Sequence, residues 1–373
     1  MEKIIYRKRP THRRRRNAGV GAIIGHVILV FFTVLIAVAA TLFISLKMIC
    51  GSTSPAAKVT FVTTILETGQ LKPLAKLLVP YDERQEIVKN NTMASLDSNV
   101  DSSLISIKDN SGSSNSSDNN NSSDNTEPIE IKEISGRTFY GTLMIVMDPS
   151  KVSLASIYPW RETGVTLDAL VNDSGSVAGI NGGLYNSGNN SGGRPYGIVV
   201  KDGEIQLNDP QSFAGLVLIG FDSNNVLQIV DVDGMTPSQT ESLIHDMNIR
   251  DAVTFQEEAS DKNNHFVKLV INGVARELNG AGSGLNPRTC IGQRADGAVL
   301  MLVTDGRGKS GHLGASASDL ISVMEEYGAV NAANLDGGSS SCMYYGGEYL
   351  MTSVTFYYSN NSWRMPVAFV VKE

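Results

Sequence analysis

From Ala18 to Leu46 the chain runs for 29 residues without an Asp, Glu, Lys or Arg, bounded by Arg16 and Lys47. Its centre reads Val27-Ile28-Leu29-Val30-Phe31-Phe32-Thr33-Val34-Leu35-Ile36. About 20 apolar residues cross the hydrocarbon of a bilayer as a helix, so this run predicts a membrane span even when tilted. A cleavable signal peptide has an apolar region of about 7–15 residues followed by a small-x-small cleavage site. The run here is about twice that length, and the expectation is an uncleaved anchor. His26 is its only titratable group and lies toward the basic end, where it can stay neutral.

The flanks give the direction. The first 17 residues carry eight Lys or Arg side chains against the single acid Glu2, leaving 23 basic and 37 acidic side chains for the rest of the chain. Basic residues stay on the cytoplasmic side of a membrane. The N-terminus is therefore expected in the cytoplasm of a single-pass cell-membrane protein, with an extracellular C-terminal body. An acidic body argues against nucleic acid as a partner. An apolar share of 42% excludes a wholly disordered or collagen-like chain. Three cysteines exclude a disulfide-built scaffold. Of these, Cys50 reads as an ordinary free thiol at the membrane boundary. Whether Cys290 and Cys342 pair stays open.

Composition shifts divide the remainder. Residues 1–17 form the basic cytoplasmic tail and 18–46 the transmembrane helix. Residues 47–100 carry helical apolar spacing broken by Gly69, Pro73 and Pro80, which predicts two or three short helices acting as a juxtamembrane stalk. Residues 101–127 form a tether. Within it, positions 109–125 are all Asp, Asn, Ser or Gly, with no apolar area to offset chain entropy. Residues 128–373 form the body, long enough for one sizeable core.

Short β-rich runs recur through that body at 129–134, 138–147, 152–158, 177–180, 197–200, 216–219, 252–255, 266–271, 298–304 and 367–371, separated by Gly, Asn, Asp and Pro. Helical spacing occurs at 238–247 and 315–327, the second with Ser316 or Ser318 as its cap. Many strands and few helices predict an α+β class, a strand-rich single catalytic domain rather than a doubly wound sheet.

Four segments of the body share one pattern, an apolar strand beside a turn of Gly with Asn, Asp or Arg. They are V-A-G-I-N-G-G-L-Y (177–185), N-P-R-T-C-I-G (286–292), L-V-T-D-G-R (302–307) and N-A-A-N-L-D-G-G-S-S (331–340). Such turns deliver a polar side chain at a sheet edge, where glycines admit a substrate close to the backbone. Each alone also suits an ordinary hairpin turn. The last is the most informative: Asp336, between an apolar stretch and Gly-Gly-Ser-Ser, suits acid–base work with backbone N–H groups nearby to hold an anion.

These motifs, taken in order with G-I-V-V-K-D-G-E-I (197–205), resemble the phosphodiester glycosidase family over residues 128–373. The anchor, stalk and tether are similar to those of its membrane-bound bacterial members associated with exopolysaccharide. The resemblance implies hydrolysis of a sugar-1-phosphodiester, GlcNAc-1-phosphodiester-like, to free sugar and phosphomonoester. It implies a glycan or sugar-phosphate polymer as partner. Under it, Asp336 or Asp305 acts as base toward water, Arg288 holds the phosphodiester with its fixed fork of donors, and Asn181 binds a sugar hydroxyl or acetamido group. Gly182, Gly183, Tyr185, Asn334, Gly337, Gly338, Ser339, Arg307 and His312 complete the substrate-binding set.

This chain departs from the family pattern at Leu184-Tyr185, where an aromatic pair is usual. It departs again at Cys290, where a small residue is common, and at Gly311-His312-Leu313. These changes touch substrate shape more than the polar core. His312 reads better as a surface histidine, and Arg307 reads equally as a solvated charge. Oxygens of Asp305, Asn334 and Asp336 could hold a divalent cation such as Ca2+, but no metal-ligand spacing is present, and the expected cofactor is none. The alternatives are a non-catalytic carbohydrate-binding or assembly factor and a phosphodiesterase acting at phosphorus.

Overall fold

The structure is a computed structural model that describes residues 19–51, 54–68, 71–96, 98–107, 128–259, 264–355 and 361–373. The basic tail, and the tether from residue 108 onward, lie outside the described residues. The chain forms two units, Met1–Ser54 and Pro55–Glu373. In the first, α1 (Val20–Cys50) is a continuous helix of 31 residues, about 46 Å long at 1.5 Å per residue. Its polar side chains bond one turn back: His26 Nδ1 donates to the Ala22 carbonyl at 2.6 Å, and the Thr33 and Thr41 hydroxyls donate to the Leu29 and Ala37 carbonyls at 2.8 Å. These groups need no water, which suits an apolar surrounding. By length and composition α1 is a candidate membrane span or signal sequence.

The second unit begins with α2 (Pro55–Leu66), α3 (Lys72–Leu78) and α4 (Tyr81–Lys89). The sequence predicts short helices here, and they form; their expected role as a stalk does not hold. They belong to the same unit as the body. Val62, Leu66 and Ala75 are fully buried. The chain beyond them lies along the body: Ala94 N–H donates to the Glu277 carbonyl at 2.9 Å and Ser106 N–H to the Ala295 carbonyl at 2.7 Å. Alternating apolar residues that suit an independent stalk also suit a segment with a surface to cover, and the partner surface is remote in sequence.

In chain order the body contains β1 (Ile129–Ser135), β2 (Tyr140–Val146), β3 (Val152–Ser156), α5 (Leu167–Asp173), β4 (Ser176–Asn181), β5 (Gly197–Lys201), β6 (Glu204–Asp209), β7 (Leu216–Asp222) and β8 (Leu227–Asp231). Then come α6 (Pro237–Asp246), β9 (Ile249–Gln256), a small hairpin of β10 (Glu258–Ala259) and β11 (Asn264–His265), β12 (Lys268–Ile271), β13 (Val274–Ala275) and β14 (Thr289–Arg294). The chain closes with β15 (Val299–Thr304), α7 (Ala317–Glu326), β16 (Ala329–Asn334), β17 (Met343–Tyr345), β18 (Glu348–Met351) and β19 (Val367–Lys372). Besides the hairpin there are three antiparallel sheets. Their orders are β1-β2-β15-β14-β16-β12-β13, β18-β17-β4-β19-β3 and β6-β5-β9-β7-β8. The α+β, strand-rich expectation holds.

Period-2 geometry explains how the sheets meet. Along β19, Val367, Phe369 and Val371 enter one large core, while Ala368 and Val370 face the other way onto α5. Along β7, Val217 and Ile219 enter the same core, while Leu216 and Leu218 share a cluster with Ile244 of α6. Along β2, Met144 and Val146 point in, while Leu143 and Ile145 join Leu320, Ile321 and Met324 of α7. Each sheet thus gives one face to a common core and the other to its own helix. Two buried faces account for strands that read as unbroken apolar runs, such as Val299 to Val303.

Phe221 and Phe369 meet edge to face across two sheets, 6.3 Å apart at 84°; Phe369→Ala is expected to cost about 3–5 kcal/mol. The cap of α7 is Ser316, whose hydroxyl accepts from Asp319 N–H at 3.3 Å while Asp319 accepts from Ser316 N–H at 2.8 Å. Cys290 and Cys342 are both buried thiols and do not pair with each other.

Candidate active site

Antiparallel register brings three of the four polar motifs to one sheet end. β14 starts where its two neighbours finish, with Thr289 opposite Val303 and Cys290 opposite Asn334. The end of β4 is tied in by a side chain: Asn181 Oδ1 accepts from Thr289 Oγ1 at 2.7 Å and from Cys342 N–H at 3.3 Å, while its amide donates to the Asp336 carbonyl at 2.6 Å. A cleft of about 730 Å³ opens beside these ends, within the range of small-molecule sites. Of the residues singled out from sequence, Tyr185, Arg288, Arg307, Asn334, Asp336, Gly337, Gly338 and Ser339 line it. Asn181 lies behind it, 1% exposed, and its amide donates to the Asp336 turn. Gly182 accepts from Asp336 N–H at 3.4 Å. Gly183 precedes the bond from Leu184 N–H to the Thr254 carbonyl, 2.9 Å, that closes the turn onto β9.

Asp336 is the centre of the cleft. Part of its surface opens to the cleft, but protein surrounds the carboxyl, and that desolvation raises its pKa to about 6. The Ser340 hydroxyl, Gly337 N–H and the charge of Arg307 oppose the rise. Ser340 Oγ donates to Asp336 Oδ2 at 2.6 Å. A hydroxyl has one proton, so Tyr185 OH, 2.8 Å from Ser340 Oγ, must donate to it. Burial holds the Tyr185 pKa well above the usual phenol range, with the nearby Asp336 charge adding to it. The donor therefore persists, and a relay Tyr185–Ser340–Asp336 orients the carboxylate.

Arg307 and Arg288 both line the cleft and are held in different ways. Arg288 is 6% exposed. Its guanidinium pairs with Glu67, donates to the Gly284 carbonyl at 2.8 Å and Ser283 Oγ at 3.2 Å, and lies 4.8 Å over the Phe266 ring. Those contacts engage Nη2 with protein groups, while the side chain also lines the cleft. Arg307 has left-handed backbone, φ 55°, a strained conformation of the kind that collects at working sites. Its Nη1 donates to Ser339 Oγ at 2.9 Å and the Val354 carbonyl at 3.3 Å, while its Nε is buried without a hydrogen-bond partner. Burial, then Arg288, lowers its pKa to about 10, so it stays cationic at neutral pH. Gly338, at φ 64°, is required here: a Cβ would lie 2.6 Å from Arg307 Nη2. Its N–H is not available to an anion, because it donates to the Pro287 carbonyl at 2.8 Å.

Two further groups face the cleft in neutral form. Asn334 is 1% exposed; its amide donates to the Phe266 carbonyl at 2.9 Å and its Oδ1 has no hydrogen-bond partner. His265 is a cleft histidine that sequence reasoning did not select. Burial, then Lys72 and Arg288, pushes its pKa to about 4. Gln256 fixes its tautomer: the Gln256 amide donates to the Ala214 carbonyl and Glu258, leaving Oε1 to accept from His265 Nδ1–H at 3.2 Å. Nε2 is then the acceptor.

His312 and Asp305 do not line the cleft. They pair with each other at 2.6 Å, and the other Asp305 oxygen accepts from Tyr140 N–H at 2.8 Å. The oxygen set Asp305, Asn334 and Asp336 is accordingly not gathered around one open space. Among the described residues no three His, Cys, Asp or Glu side chains cluster for a metal ion.

Sequence reasoning also missed Ser340, Glu67, Thr68 and Lys72. Ser340 is legible once Asp336 is chosen, since it stands in the same Gly-Gly-Ser-Ser turn. Glu67 gives one signal: an acid directly after the C-terminal end of α2 opposes the helix dipole, which marks it for a partner elsewhere.

Three antiparallel sheets around one core, with a desolvated carboxylate and a buried arginine at converging strand ends, define a strand-rich α+β domain with a polar cleft. The phosphodiester glycosidase family profile matches residues 174–372, and the chain belongs to that family. The fold is similar to the zebrafish N-acetylglucosamine-1-phosphodiester α-N-acetylglucosaminidase catalytic domain, auto-inhibited by its pro-peptide. That likeness has a TM-score of 0.51 at 14% identity and covers 67% of this chain and 85% of that one. A hypothetical protein from Synechocystis is similar at a TM-score of 0.42 and 16% identity over 66% of this chain and 62% of that one. The SPbeta prophage-derived uncharacterized protein YomE of Bacillus subtilis (strain 168) is 40% identical over 65 residues, 17% of this chain. This chain spans 10% of the length of that curated relative.

Proposed function

We propose that this protein hydrolyses a sugar-1-phosphodiester at the anomeric carbon, releasing free sugar and a phosphomonoester, with Asp336 as the base. One observation carries the reading: a recessed carboxylate with a pKa of about 6 stands beside the cationic Arg307 in a cleft at the ends of the family's motif strands. Ionised Asp336 takes a proton from water as the water attacks the anomeric carbon. The bond from that carbon to the phosphate oxygen breaks, and its electron pair leaves with the phosphate. A phosphomonoester is a good leaving group, so protonation by a strong acid is less necessary than for an ordinary glycoside. Arg307, held by Ser339, meets the phosphate charge. Asn334 Oδ1 and His265 Nε2 offer acceptors for sugar hydroxyls or an acetamido N–H.

The zebrafish enzyme's name gives the substrate class first to be tried, an α-GlcNAc-1-phosphodiester. The protein acts as a single-pass anchored enzyme of the cell surface, with α1 in the membrane and the body outside, on a polysaccharide or related glycan. No cofactor is needed for the step as written. The test incubates the full chain with the methyl ester of α-GlcNAc-1-phosphate in ¹⁸O-water. Label in the released sugar supports cleavage at carbon; label in the phosphate would identify attack at phosphorus and overturn the assignment of Asp336.

A further inference from the structure

Resting on that reading, we propose that Glu67 is a positioning residue of the active site, supplied by a helical segment that precedes the family domain by about a hundred residues of chain. The Glu67 side chain is 3% exposed and pairs with Arg288, itself 8% exposed. Its Oε1 accepts from Gly284 N–H at 2.6 Å and its Oε2 from Asn286 Nδ2 at 3.4 Å. The next residue, Thr68, donates to Asn286 Oδ1 at 3.3 Å, and Thr64 Oγ1 accepts from Leu285 N–H at 3.0 Å. Gly284 permits this approach, since a Cβ there would lie 2.5 Å from the backbone of Thr63 and Thr64. The end of α2 therefore clasps residues 284–288 at five points.

What the clasp holds is the back of the catalytic turn. The Pro287 carbonyl accepts from Gly338 N–H at 2.8 Å. Arg288 N–H donates to Thr304 Oγ1 at 3.0 Å, and the Arg288 carbonyl accepts from Thr304 N–H at 2.9 Å. A Cβ on Gly337 would stand 3.0 Å from the Pro287 carbonyl. The 284–288 strip thus lies directly behind Asp336-Gly337-Gly338. The same helical segment forms a wall of the cleft through Glu67, Thr68 and Lys72. The residues before the family domain act as part of the enzyme, and Glu67 sets the geometry of Asp336 through Arg288 and Pro287 without touching the reacting atoms.

The experiment uses the full chain with an N-terminal affinity tag and a specific protease site introduced between residues 109 and 125. After cleavage, the body is expected to stay on the resin with its N-terminal fragment and to keep its rate on the methyl ester of α-GlcNAc-1-phosphate. In the uncut chain, Glu67→Gln should lower kcat between about 10- and 100-fold, the scale of a small misplacement, with KM changed much less. Thr64→Val removes one bond of the clasp without stranding a buried charge, and should lower kcat in the same sense by less. A body that leaves the resin with its rate intact would overturn the proposal. So would a rise in kcat for Glu67→Gln, which would make the segment an inhibitory cover. If the uncut wild-type chain released no sugar, the proposed function would fall. Retention on the resin, read without any substrate, would still report whether the clasp holds.

Discussion

Two strand ends of the seven-stranded sheet, on either side of β14, carry nearly the same sequence pattern. β15 runs out through Val303 and Thr304 into Asp305-Gly306, and β16 through Asn334 and Leu335 into Asp336-Gly337. Both flank the start of β14. Asp305 is nevertheless spent: one oxygen caps the N–H of Tyr140 and the other holds His312. Asp336 keeps a face open to the cleft and is desolvated by the protein around it, with Ser340 and Gly337 as its hydrogen-bond support. An aspartate becomes a base when its surroundings raise its proton affinity while leaving it reachable. An aspartate whose oxygens are both occupied is a structural joint. The difference lies in tertiary partners, 165 residues away in the case of Tyr140.

The largest effect should separate the two at once. Asp336→Asn removes the base and is expected to lower kcat by about 10²–10⁴, while Asp305→Asn, which can keep the bond from Tyr140, should stay within about tenfold. Rates on one sugar-1-phosphodiester for both variants check this. Equal losses would erase the distinction between the strand ends and return Asp305 to the reacting centre.

Stability should reverse the order. Asp305→Ala leaves a buried N–H without its acceptor and is expected to cost about 1–3 kcal/mol. Asp336 behaves in the opposite way. Its folded pKa of about 6 lies above the ordinary aspartate value of 3.8, so its contribution to stability is whole below pH 4 and is lost as pH rises through 6. Asp336→Asn removes that loss and should be more stable than wild type by about 1–3 kcal/mol above pH 6, with the two converging near pH 4. Denaturant melts at the two pH values measure it. A catalytic variant that melts earlier than wild type at pH 7 would show that Asp336 is not held against its own charge.

The same pair of strand ends marks how far sequence reading reaches. Strand runs, the helix at α7 with its Ser316 cap, and the Asp-Gly turns are local patterns, and all are legible. Which turn is reactive is not, because Asn181, Arg288 and Gly338 N–H look alike in sequence, and only the fold shows that they are tied to Asp336, Glu67 and Pro287. The histidine of the cleft is His265 rather than His312; both follow a short polar stretch of sequence, and only the Gln256 contact and burial distinguish them. The wall formed by α2 and α3 is not legible, because an apolar helix after a long apolar run has the same composition whether it stands alone or lies on a domain.

The smallest effect tests the support of Asp336 rather than the residue itself. Ser340 Oγ donates to the carboxylate, which stabilises the charged form and opposes the rise that burial causes. Ser340→Ala removes that donor, so the Asp336 pKa should move further above 6. The rate of the proposed reaction depends on ionised Asp336, so the acid limb of its pH profile should shift upward, by up to about one unit for a bond worth about 1 kcal/mol. The plateau rate at high pH should fall far less than in Asp336→Asn. Tyr185→Phe removes only the donor to Ser340 and should shift the limb in the same direction by less. Asp305 has no part in that relay, so Asp305→Asn should leave the limb where it is. A limb that moves with Asp305 and ignores Ser340 would transfer the titrating base from one strand end to the other.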